Sequence, residues 1–236
     1  MNSALFDLIA FDADDTLWHN ERFYRMGRER FRQMLAVYGV DSASDARLDA
    51  IEVRNLPYYG YGVMSFILSL IESGIELTDG RFRPGDVRRL LELGKEMLSA
   101  DVEVYAHVVE ALAALQPRYP LMLITKGEPT NQWSKINRSG IANYFQHIEV
   151  VHDKSPAVYT AVLDKHRLQP ERFLMVGNSM RSDILPVLGL GSWAVYVPNE
   201  LTWAHEHAEP PTMNHRRMFT IQHLGELPGL LQKISA

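Results

Sequence analysis

Five short apolar runs, each long enough for one strand and separated by stretches with helical spacing, constrain this chain more than any other feature. They are Leu8-Ile9-Ala10-Phe11, Leu121-Met122-Leu123-Ile124, Ile148-Glu149-Val150-Val151, Phe173-Leu174-Met175-Val176 and Trp193-Ala194-Val195-Tyr196. A strand that is apolar at nearly every position has no face to offer water, so it must be covered on both sides, and intervening helices supply that cover. The pattern predicts an α/β fold with a doubly wound parallel sheet. Its helices are expected through 108–115, through Trp133 and Ile136, over 156–165 and over 179–188. After Pro198 the rhythm lapses through Trp203, His205, His207, Pro210, Pro211 and His215, then returns with Phe219-Thr220-Ile221 and a closing helix. The three histidines are potential metal ligands, but no acidic framework accompanies them, and the segment reads as a solvated irregular loop.

The stretch between the first and second runs has a different character. Phe23, Met26, Phe31, Met34 and Leu35 fall close to helical spacing, as do Phe66, Ile67, Leu70 and Ile71, and then Leu90, Leu91, Leu93 and Met97 after Pro84-Gly85. Residues 18–100 are therefore expected to form an all-helical insert of three or four helices, leaving 1–17 and 101–236 as the sheet domain. Asn55-Leu56-Pro57-Tyr58-Tyr59-Gly60-Tyr61-Gly62 interrupts these helices. It is either a substrate-facing loop, in which Tyr58, Tyr59 and Tyr61 offer hydroxyls and rings, or an interhelical turn with core tyrosines.

In open parallel sheets, ligands bind beyond the carboxyl ends of the strands. Four strand ends here carry reactive side chains: Asp12-Ala13-Asp14-Asp15-Thr16-Leu17 after the first, Thr125-Lys126-Gly127 after the second, Asp153-Lys154 after the third, and Gly177-Asn178-Ser179 with Asp183 after the fourth. Singly, each has an ordinary explanation as a turn residue, a solvated lysine or a helix-surface carboxylate. Together they predict one shared site. Three acidic side chains within four residues repel one another and lose solvation when enclosed, a cost that a bound divalent cation or a proton-transfer role offsets.

The 236 residues include no cysteine, which excludes a disulfide framework, thiol catalysis and thiolate metal sites, and leaves carboxylate oxygen and imidazole as ligands for a hard cation. The formal net charge is −5 with dispersed basic residues, so no nucleic-acid-binding stripe is expected. No stretch is long and apolar enough to span a bilayer, and the amino terminus lacks the features of a signal peptide. The expectation is a cytoplasmic protein whose partners are small molecules, with no nucleic acid and no membrane.

The order of the strand-end residues resembles the haloacid dehalogenase (HAD) superfamily of aspartate-nucleophile hydrolases, over essentially the whole chain. The family's first motif, Asp-x-Asp-x-Thr-Leu, is matched by Asp12 to Leu17, its Thr or Ser at a strand end by Thr125, and its Lys before a helix by Lys154 in Asp-Lys-Ser-Pro. The fourth motif usually reads Gly-Asp followed by a second acidic residue, whereas this chain has Gly177-Asn178 followed by Asp183. The resemblance implies a Rossmann-like core with an inserted helical cap. It also implies Asp12 as nucleophile, Asp14 as general acid and base, and Mg2+ held by Asp12, by Asp14 through its backbone carbonyl, by Asp183 and, less directly, by Asn178. Thr125, Lys126 and the following turn would receive the phosphoryl oxygens, and Lys154 would oppose the negative charge of Asp12 and the phosphoryl group. An amide at position 178 offers no charge, but its oxygen can still ligate a hard cation or hold a metal-bound water.

True dehalogenases of the superfamily lack the acid two residues after the nucleophile, so the resemblance at Asp14 points to a phosphatase or phosphotransferase. The expectation is a Mg2+-dependent phosphomonoester hydrolase acting on a small organic phosphate through an aspartyl-phosphate. The alternatives are a phosphomutase or phosphotransferase on the same scaffold, and a non-catalytic phosphate-binding regulator. Trp18, His19, Arg22 and Arg25 are placed for a cap hinge or a substrate contact, or else belong to a solvated helix face.

Overall fold

The computed structural model describes residues 5–40, 44–211 and 216–234. The chain divides into two compact units, Met1–His19 with Val102–Ala236, and Asn20–Asp101. The first unit is built on six parallel strands, β1 (Leu8–Phe11), β2 (Leu121–Lys126), β3 (His147–Val151), β4 (Phe173–Gly177), β5 (Trp193–Tyr196) and β6 (Met218–Thr220), in the order β3-β2-β1-β4-β5-β6. β1 pairs with β2 through Ile9 and Leu121 and with β4 through Leu8 and Phe173. The chain winds outward from β1 in one direction through β2 and β3, and in the other through β4, β5 and β6. Such a reversal opens a crevice at the carboxyl ends of the central strands.

The second unit contains α1 (Glu21–Ala36), α2 (Ser44–Tyr59), α3 (Val63–Leu77) and α4 (Pro84–Ser99). Their apolar stripes meet in a core of Phe31, Leu35, Leu48, Phe66, Ile67, Leu70, Leu90 and Leu93. The break expected at 55–62 is shorter than the sequence suggests, because α2 continues through Pro57 to Tyr59. Asn55 anchors this last stretch: it is buried, and its amide donates to Ser69 Oγ at 3.1 Å and to Glu72 Oε2 at 2.6 Å on α3. The turn itself is Gly60-Tyr61-Gly62, with φ of +67° at Gly60 and +123° at Gly62, conformations that a side chain would oppose.

The sheet unit adds α5 (Val108–Leu115), α6 (Pro129–Arg138), α7 (Pro156–His166), α8 (Leu185–Gly189) and α9 (Leu227–Ile234). The two-residue period of β1 sorts its side chains between two layers. Ile9 and Phe11 pack with Val108 and Leu112 of α5, Ile136 of α6 and Leu227 and Leu231 of α9. Leu8 and Ala10 pack with Tyr159, Val162 and Leu163 of α7 and Val187 of α8. The single helix expected over 179–188 is instead a π turn at Met180–Ile184 followed by the short α8. Pro186 accounts for the difference, since it has no N–H and its ring would collide with a carbonyl one turn back, so the chain widens before it. Among the described residues no helix is long and apolar enough to cross a membrane.

Candidate active site

Asp12 continues β1 beyond the sheet, where its N–H donates to Val176 O of β4 at 2.9 Å. The chain then turns sharply: Leu17 N–H reaches back to Ala13 O at 2.8 Å, and Asp15 adopts a left-handed φ of +65°, which aspartate tolerates better than most residues. The turn folds Thr16 back beneath the Asp12 carboxylate. Its hydroxyl lies 2.9 Å from Asp12 Oδ2 and 3.1 Å from Asn178 Oδ1, and accepts the Asn178 N–H at 3.0 Å. The Asn178 amide nitrogen donates to Thr202 Oγ1 at 3.1 Å, which fixes the orientation of that side chain.

Lys154 enters from the turn between β3 and α7, a helix started by Ser155 as N-cap and Pro156 in the first turn. Its ammonium donates to Asp12 Oδ1 at 2.5 Å and to Asp183 Oδ1 at 2.7 Å, and all three side chains are buried. Asp183 is carried by the π turn, and its second oxygen accepts the Ser179 N–H at 2.9 Å. This carboxylate lies against the end of β4, where a Cβ on Gly177 would come within 2.3 Å of Asp183 Oδ2; only glycine leaves room for it. Burial pushes Asp12 up to about 7 against the pull of Lys154, with the negative charges of Asp183 and Asp14 adding to the rise. Burial would lower Lys154, but Asp12 and Asp183 outweigh it and hold the ammonium above its ordinary range.

Asp14 takes part in a second cluster. Trp18 Nε1 donates to its Oδ1 at 2.7 Å, Lys135 Nζ lies 2.6 Å from both of its oxygens, and Gln132 Nε2 reaches Oδ2 at 3.1 Å. The same Gln132 nitrogen lies 2.5 Å from Thr125 Oγ1 and 3.0 Å from Lys126 O. Gln132 and Lys135 sit three residues apart on α6, hence on one face. That helix is pinned by Glu128, whose carboxylate caps Thr130 N and Asn131 N at 2.9 and 2.7 Å.

Lys126, expected to serve the substrate, has its ammonium against the carboxylate of Glu206 and 3.0 Å from Ser182 Oγ. Glu206 also accepts from Ser179 Oγ and Ser182 Oγ, each at 2.6 Å. It belongs to the segment expected to be a solvated loop, yet it is buried and ties that segment to β2 and to the π turn. Its neighbours differ from it: His207 is exposed, His205 is half-buried, and His215 lies outside the described residues. A cleft of about 790 Å³ opens beside Asn178, lined also by Tyr196, Thr202, Glu206 and Met218.

Tyr58 and Tyr59 close α2 and are 80% and 50% exposed, so they are not core tyrosines; Tyr61, in the following turn, is half-buried. Of the residues after the first motif, His19 lies against the Tyr105 ring at a tilt of 51° with centroids 3.9 Å apart, and Arg22 lies over Phe23. Gln132, Lys135, Glu206 and Thr202 were not singled out from the sequence. The three-residue spacing of Gln132 and Lys135 just after a strand end was the available signal, whereas nothing near Glu206 in the chain announces partners as distant as Lys126.

Among the described residues no three His, Asp or Glu side chains form a metal-binding group. A cation here would rest on two carboxylates, Asp12 and Asp183, with neutral oxygens from the Asn178 amide and the Asp14 main chain. That set suits a hard divalent ion that keeps several waters. The geometry favours the fit, since both carboxylates converge on one point, where they already meet the positive charge of Lys154.

The model of haloacid dehalogenase-like hydrolases matches residues 6–188. A glyceraldehyde 3-phosphate phosphatase of Methanothermobacter thermautotrophicus is 32% identical over 213 residues, covering 85% of this chain and 90% of that protein. The pyrimidine 5'-nucleotidase YjjG of Escherichia coli is 26% identical over 239 residues, covering 96% and 98%. The crystal structure of a haloacid dehalogenase-like family hydrolase from Xanthomonas campestris aligns with a TM-score of 0.87 at 36% identity, covering 99% of this chain and 97% of that one. The six-stranded parallel sheet agrees with these matches, and the chain belongs to the haloacid dehalogenase-like hydrolase family.

Proposed function

We propose that this chain is a Mg2+-dependent phosphomonoesterase that acts on a small organic phosphate through a phosphoryl group transiently carried by Asp12. The observation that carries the proposal is the buried Asp12 carboxylate at the end of the central strand, held by Lys154 at 2.5 Å and backed by Thr16 at 2.9 Å, with Asp14 two residues further on. Family membership and relatives named as phosphatases support it.

Asp12 attacks phosphorus with a carboxylate oxygen, the bond from phosphorus to the ester oxygen breaks, and Asp14 gives its proton to that oxygen. Water then attacks the aspartyl-phosphate, its proton passes to Asp14, and inorganic phosphate leaves as the Asp12 carboxylate is restored. Lys154 stands against the negative charge gathered on Asp12 and the phosphoryl oxygens, and Thr125 offers its hydroxyl to one of those oxygens. Mg2+, which the family generally uses, would be held by Asp12, Asp183, the Asp14 carbonyl and Asn178, and would supply charge neutralisation and Lewis acidity. Lys126 can meet a phosphate with its side chain only by leaving Glu206. Tyr58, Tyr59 and Tyr61 are carried forward as substrate contacts on the chemistry of their hydroxyls and rings. The presence of Asp14 favours an alkoxide leaving group, which needs a proton, over a halide, which does not.

The test is hydrolysis of p-nitrophenyl phosphate with Mg2+, with EDTA, and by Asp12→Asn. Turnover that requires both the metal and Asp12 supports the proposal. Turnover that survives Asp12→Asn contradicts it.

A further inference from the structure

We infer that α6 carries a positioning pair, Lys135 and Gln132, which with Trp18 holds the Asp14 carboxylate in the orientation from which it serves the leaving-group oxygen. The inference rests on the acid and base role proposed for Asp14. An aspartate in a turn has several rotamers within reach, and ordering one of them is work that neighbouring groups must do. Here three side chains make four contacts to one carboxylate: Lys135 to both oxygens at 2.6 Å, Trp18 to Oδ1 at 2.7 Å and Gln132 to Oδ2 at 3.1 Å. The donors are themselves fixed. Trp18 and Gln132 are buried, and the Lys135 side chain is only 12% exposed, unlike a surface ion pair.

The arrangement also couples two parts of the site. The Gln132 amide nitrogen lies between Asp14 and Thr125, so one face of α6 sets both the leaving-group residue and the hydroxyl offered to the phosphoryl oxygen. α6 can act as a rigid reference because Ile136 is set in the sheet core and Glu128 caps its first turn. Lys135 and Trp18 are thus positioning residues that act through Asp14, and their loss is felt where proton donation limits the rate. A displacement of a catalytic group by about 1 Å is worth roughly 100-fold in rate, which sets the ceiling for the effect.

The experiment compares two substrates of similar shape, phenyl phosphate with a poor leaving group and p-nitrophenyl phosphate with a good one, on wild type, Lys135→Met, Lys135→Arg and Trp18→Phe. Lys135→Met is expected to lower kcat/KM, which reads the step that puts the phosphoryl group on Asp12, about 30-fold on phenyl phosphate and no more than about threefold on p-nitrophenyl phosphate, with the affinity for inorganic phosphate changed less than about twofold. Lys135→Arg should recover most of the loss. Trp18→Phe deletes one donor, keeps a buried ring, and should reproduce the selectivity, so the inference stays testable if Lys135→Met does not fold. Equal losses of kcat/KM on both substrates, a loss matched by weaker binding of inorganic phosphate, or no loss on phenyl phosphate would overturn it. A wild type inert toward both substrates would instead remove the phosphatase proposal, and this assignment with it.

Discussion

Replacing Glu206 by Gln tests whether the segment after β5 is knit into the sheet unit or merely lies on it. Burial alone would raise the Glu206 carboxyl, but the Lys126 ammonium and the hydroxyls of Ser179 and Ser182 hold it at about 2, below its ordinary 4.5. A carboxyl lowered on folding contributes stability that is present above its unfolded value and is lost as pH falls through the folded one. A displacement of this size corresponds to about 3 kcal/mol, fully present at neutral pH and lost between about pH 4.5 and about pH 2. The size agrees with the roughly 3–5 kcal/mol that removal of one partner of a buried ion pair generally costs. For a chain of this size, about 3 kcal/mol lowers Tm by roughly 6–12 °C. Thermal unfolding followed by circular dichroism from about pH 2 to about pH 8 should show that gap at neutral pH and see it close in acid. A change below about 1 kcal/mol at neutral pH, or a gap that persists unchanged at the acid end, would refute the reasoning.

Glu52 should behave in the opposite sense: burial raises it to about 7, against Arg28 and helped by Asp49, and its Oε1 is buried without a hydrogen-bond partner. A carboxyl raised on folding loses stability as pH climbs from about 4.5 to about 7, so Glu52→Gln should flatten that decline and be the more stable protein at about pH 8; a uniform loss at every pH would contradict this. Gly177→Ala would drive a Cβ to within 2.3 Å of Asp183 Oδ2, and should lower kcat about 100-fold or more with secondary structure retained, as activity and circular dichroism together would report. Asn178→Asp adds a carboxylate beside Asp12 at the expense of the donor to Thr202, and should lower the Mg2+ concentration for half-activation roughly three- to tenfold; unchanged or weaker activation would count against Asn178 as part of the cation site.

The sheet was legible because the cue for each strand is local. Leu8–Phe11, Leu121–Ile124 and Phe173–Val176 are apolar on both faces, and a chain cannot place such segments in water. The edge strand β3 was also readable, although Glu149 stands in it and its residues are only half-buried. What escaped depends on partners remote in sequence or on geometry between helix types. The π turn at Met180–Ile184 follows from Pro186 acting backwards on residues that otherwise look helical. The persistence of α2 through Pro57 depends on Asn55 meeting Ser69 and Glu72 of the next helix. At the site, residue types at strand ends named Asp12, Thr125, Lys154 and Asp183, since chemistry restricts what can stand there. Thr16 stands in the first motif, but its place beneath Asp12 depends on the left-handed turn at Asp15. Glu206 looked like one more charge in a polar stretch, and only the fold brings it to Lys126, 80 residues away along the chain.

The most direct test of the account is to trap the phosphoryl group on the protein. Enzyme in excess over p-nitrophenyl phosphate with Mg2+, quenched in acid early in a single turnover and digested for mass spectrometry, should yield a hydroxylamine-labile phosphoryl group on the peptide containing Asp12, absent from Asp12→Asn. Turnover with no such adduct at any quench time, or an adduct on another residue, would contradict Asp12 as the nucleophile.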